Sequence, residues 1–168
     1  MVTLKDAKIV ESWGVMLEGC QGEEQGLFST TEAYLEESKA PGVTWKRETV
    51  TPGWLKGLMG KKRDFLLIEH ERFDDYSFFV SVRDYGKHLD VNWYLAASQK
   101  NPLVKLATQA AGFIPGSAIF NLDVFDQEDL RAYGRIGQAA VKRGTESVIE
   151  RRKVQIQVDW KSKGMLAL

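Results

Sequence analysis

The fold is decided by residues 63–98, whose sequence is RDFLLIEHERFDDYSFFVSVRDYGKHLDVNWYLAAS. We predict three successive β-strands there, at 64–73, 76–84 and 88–96. In the third run apolar and polar residues alternate with the period of two that a strand with one buried face shows. The second run alternates in the same way and is rich in aromatic and β-branched residues, which favour strands. The stretch therefore predicts an antiparallel three-strand meander.

A tight hairpin is predicted between the second and third strands, because Gly86 can adopt the positive φ that such a turn needs. With Tyr85 and Gly86 as the two loop residues, Val82 would pair with Leu89. Both strands would then present their apolar residues on one face of the sheet and their polar residues on the other.

The register of the first strand, 64–73, stays open in the sequence. A two-residue loop after this strand would place His70 and Arg72 on the polar face of the sheet. A three-residue loop would instead place Glu69 and Glu71 there. A slip of one residue reverses the face of every side chain, so the pattern leaves both alternatives open.

Composition predicts one globular domain over residues 1–168. Basic and acidic side chains balance at 23 each, which argues against a nucleic-acid-binding surface of high charge. The single Cys20 excludes an intramolecular disulfide and a multi-thiolate metal site, and favours a reducing compartment. The chain begins without a basic segment followed by an apolar run, and it lacks an uninterrupted apolar span. We therefore expect a cytoplasmic protein without a transmembrane segment.

Short helices are predicted before the meander. The first, over 4–20, follows from apolar residues at helical spacing. The second is opened by a capping box at 29–32. A strand over 43–50 follows it, and a further helix is predicted after the meander, over 103–111, behind an Asn-Pro pair.

The stretch 54–63 is basic and amphipathic. It fits a segment that contacts an acidic surface, and it also fits a turn whose apolar residues cap the core. We favour the turn, because two glycines in ten residues make a poor helix.

A long C-terminal helix is predicted over about 126–152, with Asp126 as its N-cap. Its inward stripe, spaced by three and four residues, consists of Leu130, Gly134, Gly137, Val141, Gly144 and Val148. Each interior glycine costs about 1 kcal/mol against alanine, so close packing or room for a ligand must offset the cost. We favour close packing against the aromatic sheet. Clean alternation predicts a final strand over 154–160.

A candidate site lies on the polar face of the hairpin. Alternate residues of a strand share a face, so five polar side chains should converge there: Ser81, Arg83, His88, Asp90 and Asn92. A histidine and a carboxylate two residues apart can share a metal ion or a proton, although catalytic metals usually have three protein ligands. We favour a solvated face with an Arg83–Asp90 ion pair. Gly137 and Gly144 join the candidate binding residues because they could leave room for a ligand.

The sequence has no phosphate loop, dinucleotide fingerprint or nucleophile elbow, and we expect no cofactor. We predict an α+β protein, a mainly antiparallel sheet packed against the long helix, that serves as a binding or assembly module. A small apolar ligand or a protein partner would be held between or on the sheet and that helix. The alternative is a small hydrolase or metal-dependent enzyme centred on His88 and Asp90. Homo-oligomerisation is left open.

Overall fold

The computed structural model describes residues 7–50, 63–98 and 122–164. These residues form β1 (Ala7–Leu17), α1 (Glu24–Ser38), β2 (Val43–Val50), β3 (Arg63–His70), β4 (Tyr76–Tyr85), β5 (His88–Ser98), α2 (Val124–Arg152) and β6 (Lys163–Gly164). The strands make one sheet in the order β2-β3-β4-β5-β1-β6, with antiparallel pairing throughout. The predicted α+β class, built on an antiparallel meander and a long C-terminal helix, is confirmed.

The two faces of the sheet differ. On the face that packs against the helices, Val82 and Leu89 are 2 % and 0 % exposed, as their alternation predicts. The opposite face carries the polar residues of the hairpin. It also carries a small buried apolar cluster: Leu67, Phe79 and Ala96.

The predicted register of the β4–β5 hairpin is wrong by two residues. Val82 pairs with Val91, and Tyr85 pairs with His88, so the loop consists of Gly86 and Lys87. Gly86 has the expected left-handed conformation, with φ of 63°. Because side chains alternate with a period of two, a shift of two residues moves the partners and keeps every side chain on its predicted face.

Strand β3 ends at His70, earlier than predicted, and a five-residue turn, 71–75, replaces the expected loop of two or three. The Phe73 amide donates to the His70 carbonyl at 3.0 Å within this turn. Glu69 pairs with Ser77 on the polar face, which is the outcome expected from a three-residue loop. His70 consequently faces the helices.

The helix predicted over 4–20 is wrong, because this segment contains strand β1. The pairing of β1 with β5 shifts between Ile9 and Glu11, which is the mark of a β-bulge. The extra residue leaves Val10 and Trp13 both buried three positions apart. That spacing imitates one face of a helix, although the backbone is extended.

Helix α1 begins at Glu24, before the predicted start at the capping box. Thr30 and Thr31 lie inside the helix, where their hydroxyls donate to carbonyls four residues earlier instead of capping it. The helix ends at Ser38, and Lys39 after it has a left-handed φ of 46°. Strand β2 has the predicted bounds.

Helix α2 begins at Val124 because Asp123, and not Asp126, is its N-cap. The Asp123 carboxylate accepts a hydrogen bond from the Asp126 amide at 2.8 Å. All members of the predicted inward stripe are buried: Leu130, Gly134, Gly137, Val141, Gly144 and Val148. The sequence therefore predicted the inward face of this helix correctly.

The strand predicted over 154–160 is wrong. Among the described residues that segment pairs with no strand, and the last strand there is β6, which pairs with Glu11 and Ser12 of β1. The alternation nevertheless reflects packing, since every second residue from Val154 to Trp160 packs against the core. Trp160 stacks on Trp13 with ring centroids 5.0 Å apart, so side-chain burial fixes the segment without a backbone ladder.

The predictions for 54–62 and for 103–111 lie outside the described residues. Within the part of the chain that the structure describes, no helix is long and apolar enough to cross a membrane.

Candidate functional site

Four of the predicted polar residues lie together on the face of the sheet away from the helices. Ser81 pairs with Asn92, and Arg83 pairs with Asp90. The Arg83 Nε donates to Asp90 Oδ2 at 2.8 Å, and Asn92 Nδ2 donates to Asp90 Oδ1 at 3.0 Å. The predicted Arg83–Asp90 ion pair is confirmed, and both carboxylate oxygens of Asp90 accept hydrogen bonds from its neighbours.

His88 stands at the end of this polar group, opposite Tyr85 at the hairpin turn. Its Nδ1 is buried and has no hydrogen-bond partner among the described residues. Within residues 7–50, 63–98 and 122–164, no cluster of three or more His, Cys, Asp or Glu side chains could hold a metal ion.

Gly137 and Gly144 lie on the other side of the sheet, away from this polar group. A Cβ at Gly137 would come within 2.9 Å of the Phe78 ring. A Cβ at Gly144 would come within 2.5 Å of Thr31 Oγ1 and 3.0 Å of the Leu27 carbonyl on α1. Gly137 thus lets α2 approach the sheet closely, which agrees with the favoured interpretation of the stripe. Gly144 instead lets α2 approach helix α1, which that interpretation did not include.

A groove of about 490 Å³ opens where three separate segments meet. These segments are the chain between α1 and β2, the end of β3 with the turn 71–75, and the first half of α2. Its walls include Pro41, Val43, His70, Ala132, Tyr133 and Ile136. The groove is mostly apolar inside and carries charged side chains at its rim.

His70 joins the three segments around the groove. Its Nδ1 accepts a hydrogen bond from the Arg72 amide at 3.2 Å. Across the sheet, His70 pairs with Val43 at the start of β2. The ring centroid lies 5.6 Å from that of Tyr133. Burial lowers the pKa of His70, and the carboxylates of Glu71 and Asp129 oppose this effect in part.

Tyr133 ties α2 to the sheet beneath the groove. Its hydroxyl donates to the Ile68 carbonyl at 2.6 Å and accepts from the Phe78 amide at 3.0 Å. Ile68 and Phe78 are cross-strand partners, so the hydroxyl bridges two backbone groups of the β3–β4 ladder. Burial raises the pKa of Tyr133, which keeps the hydroxyl neutral and able to donate.

Arg72 ties the turn 71–75 to the beginning of α2. Its guanidinium pairs with Asp129 at 2.5 Å and with Asp126 at 2.6 Å. All three side chains reach solvent, so this pairing positions the turn more than it stabilises the fold.

A second, shallower groove of about 270 Å³ lies between the last turns of α2 and the segment 154–160. It is lined by Ile149, Ile156, Val158 and Trp160, with Glu146 and Glu150 at its edge.

Sequence reasoning missed the groove at His70, because its walls come from three separate segments between Ser38 and Ile136 and show no common motif. The one available signal was the open register of the first strand, which left the face of His70 undecided.

Comparisons of this chain with protein family models, with curated proteins and with solved structures found no match.

Proposed function

We propose that this protein binds a small, uncharged and largely apolar organic molecule in the groove at His70. The observation that carries the proposal is the groove itself, with a volume of about 490 Å³. Ligand pockets commonly measure about 300–1,000 Å³ and combine apolar walls with few polar groups. The second groove, at about 270 Å³, falls below this range.

The charges around the groove favour an uncharged occupant. Lys39 and Arg72 contribute positive charge, and Glu71 and Asp129 contribute negative charge. Because Arg72 already pairs with Asp129, it offers little to an anionic ligand. Binding would therefore depend on apolar contact with the walls.

The interior between the sheet and the middle of α2 is less suitable as a ligand-binding place than the groove. The Phe78 ring fills the space beside Gly137, and stacks on Trp93 with centroids 4.9 Å apart. A ligand between the sheet and the middle of this helix would have to displace buried aromatic rings. The groove at the end of β3 requires no such displacement.

The alternative of a hydrolase or metal-dependent enzyme centred on His88 and Asp90 stays a prediction. Asp90 accepts hydrogen bonds from Arg83 and Asn92, so its carboxylate would have to exchange these partners before it could hold a metal ion or move a proton.

Amide-resolved NMR tests the proposal, with indole and other uncharged one- and two-ring aromatic compounds as probes. We expect the amide signals of Val43, His70, Ala132 and Ile136 to shift on titration. Ala132→Trp should abolish the shifts, because the added ring would fill the groove from the exposed side of α2.

The matched control is Ala33→Trp, which introduces the same side chain at an exposed position of α1 outside the groove. This variant should bind the probes as the parent does. If none of the compounds shifts the groove amides, or if Ala132→Trp and Ala33→Trp bind equally well, the proposal is wrong.

A further inference from the structure

One hydrogen bond of the turn 71–75, which forms one wall of the groove, depends on the protonation state of His70. Its Nδ1 accepts a hydrogen bond from the Arg72 amide at 3.2 Å. A neutral imidazole has one acceptor and one donor, whereas the cation has two donors. The observed hydrogen bond to Nδ1 is therefore available only to the neutral ring, with its proton on Nε2.

We propose that protonation of His70 releases the turn 71–75 and weakens binding in the groove, so that the site responds to pH between neutral and mildly acidic conditions. The release of the turn stands on the geometry of His70 alone. The effect on binding rests on the proposed function.

Release follows from the loss of an acceptor. Once Nδ1 carries a proton, the Arg72 amide faces a donor, and that hydrogen bond is lost. Arg72 is also the residue whose guanidinium holds the turn to Asp126 and Asp129. Loss of the amide bond therefore loosens the segment that positions Arg72 at the rim of the groove.

Charged groups from each neighbouring element act on His70. Glu71 and Arg72 lie on its own turn, Asp129 lies on α2, and Lys39 lines the groove after α1. The two carboxylates favour the imidazolium and Arg72 disfavours it, while burial of the ring, the largest influence, lowers the pKa of His70.

The direction in which stability changes with pH follows from the lowered pKa of His70. With a folded pKa below the unfolded value of about 6.5, the unfolded chain binds more protons in the acidic range. The contribution of neutral His70 to stability is complete above about pH 6.5, and it declines as the pH falls below this value.

The test uses His70→Asn. The asparagine Oδ1 can accept from the amide two residues later, as in an Asx turn, and it does not titrate. His88→Asn is the matched control, because the chain has only two histidines. Hydrogen exchange of the Arg72 amide is measured without ligand between pH 8 and pH 5, with correction for the intrinsic pH dependence of exchange.

We expect protection of the Arg72 amide to fall about 2- to 10-fold at pH 5 in the parent and in His88→Asn, the size expected for one lost hydrogen bond. Protection in His70→Asn should not change. Equal protection at both pH values in the parent would overturn the proposal.

The affinity for indole, an uncharged probe over this range, is measured at the same two pH values. The parent should bind more weakly at pH 5 by a similar factor, and His70→Asn should bind equally at both. If the affinity for indole is the same at both pH values although the turn opens at pH 5, then protonation of His70 does not weaken binding. The proposed function would be unaffected by that result. Failure to bind at either pH would overturn the proposed function, and the exchange data would still decide whether the turn opens.

Discussion

The two faces of the sheet are built from the same strands, β4 and β5, but are held by different forces. Toward α2, Phe78 and Trp93 stack and are less than 2 % exposed. On the other face, Arg83 and Asp90 form an ion pair whose side chains are 34 % and 16 % exposed.

This difference implies different tolerance to change. A close-packed interior cannot absorb added volume without moving rings or backbone. An ion pair near solvent can be replaced by water at little cost. The free energy of unfolding should therefore depend strongly on the helix-covered face and weakly on the polar one.

The largest effect is expected from Gly137→Leu. A Cβ alone would lie 2.9 Å from three atoms of the Phe78 ring, and leucine adds three further carbons in the same direction. We expect destabilisation of about 3 kcal/mol, at the upper end of the overpacking range. Urea denaturation measures the change.

Arg135→Leu is the control for Gly137→Leu, since it places the same side chain at an exposed position of the same helix. It should shift the free energy of unfolding by about 0.5 kcal/mol or less. If the two variants are equally stable, α2 does not press on the sheet as closely as the structure indicates, and the comparison of the faces fails.

A smaller effect is expected from Tyr133→Phe. The change removes the hydroxyl that bridges the Ile68 carbonyl and the Phe78 amide. We expect a loss of about 1–2 kcal/mol, because two buried backbone groups lose a hydrogen-bond partner. Thermal and urea unfolding both report it.

Tyr85→Phe is the matched control, because Tyr85 is 59 % exposed and the change deletes the same hydroxyl. Equal stability of Tyr133→Phe and Tyr85→Phe would show that the buried bridge contributes nothing to stability. The helix-covered face would then be held by shape alone.

The sequence predicted which face each residue of β4 and β5 occupies, because alternation has a period of two. It could not fix the pairing, since a shift of two residues leaves the alternation unchanged, and Val82 pairs with Val91 instead of Leu89. Strand β1 was mistaken for a helix because the bulge near Val10 breaks its alternation. Local patterns thus encode side-chain burial more reliably than backbone partners.

The candidate site was predictable only in part. The polar group around Asp90 follows from alternation within one hairpin, a local property. The groove at His70 depends on how the chain before β2, the turn after β3 and helix α2 meet in space, and no local pattern encodes that meeting. The length of the turn 71–75 was also predicted wrongly. Phe73 is buried like a strand residue although it lies in the turn, so the sequence pattern extended the strand to residue 73.

The smallest effect is expected on the polar face, from Arg83→Ala and Asp90→Ala. We expect a coupling energy of about 0–1 kcal/mol from the double-mutant cycle, because the pair is partly exposed and gains little over hydration. The coupling should shrink further in about 0.5 M NaCl, since salt screens exposed charges. Asn92 would still donate a hydrogen bond to Asp90 in the Arg83→Ala variant and would limit the loss.

A coupling energy above about 2 kcal/mol that does not change with salt would contradict this prediction, because it would be typical of a pair shielded from solvent. The polar face would then be buried to a similar degree as the face beneath α2.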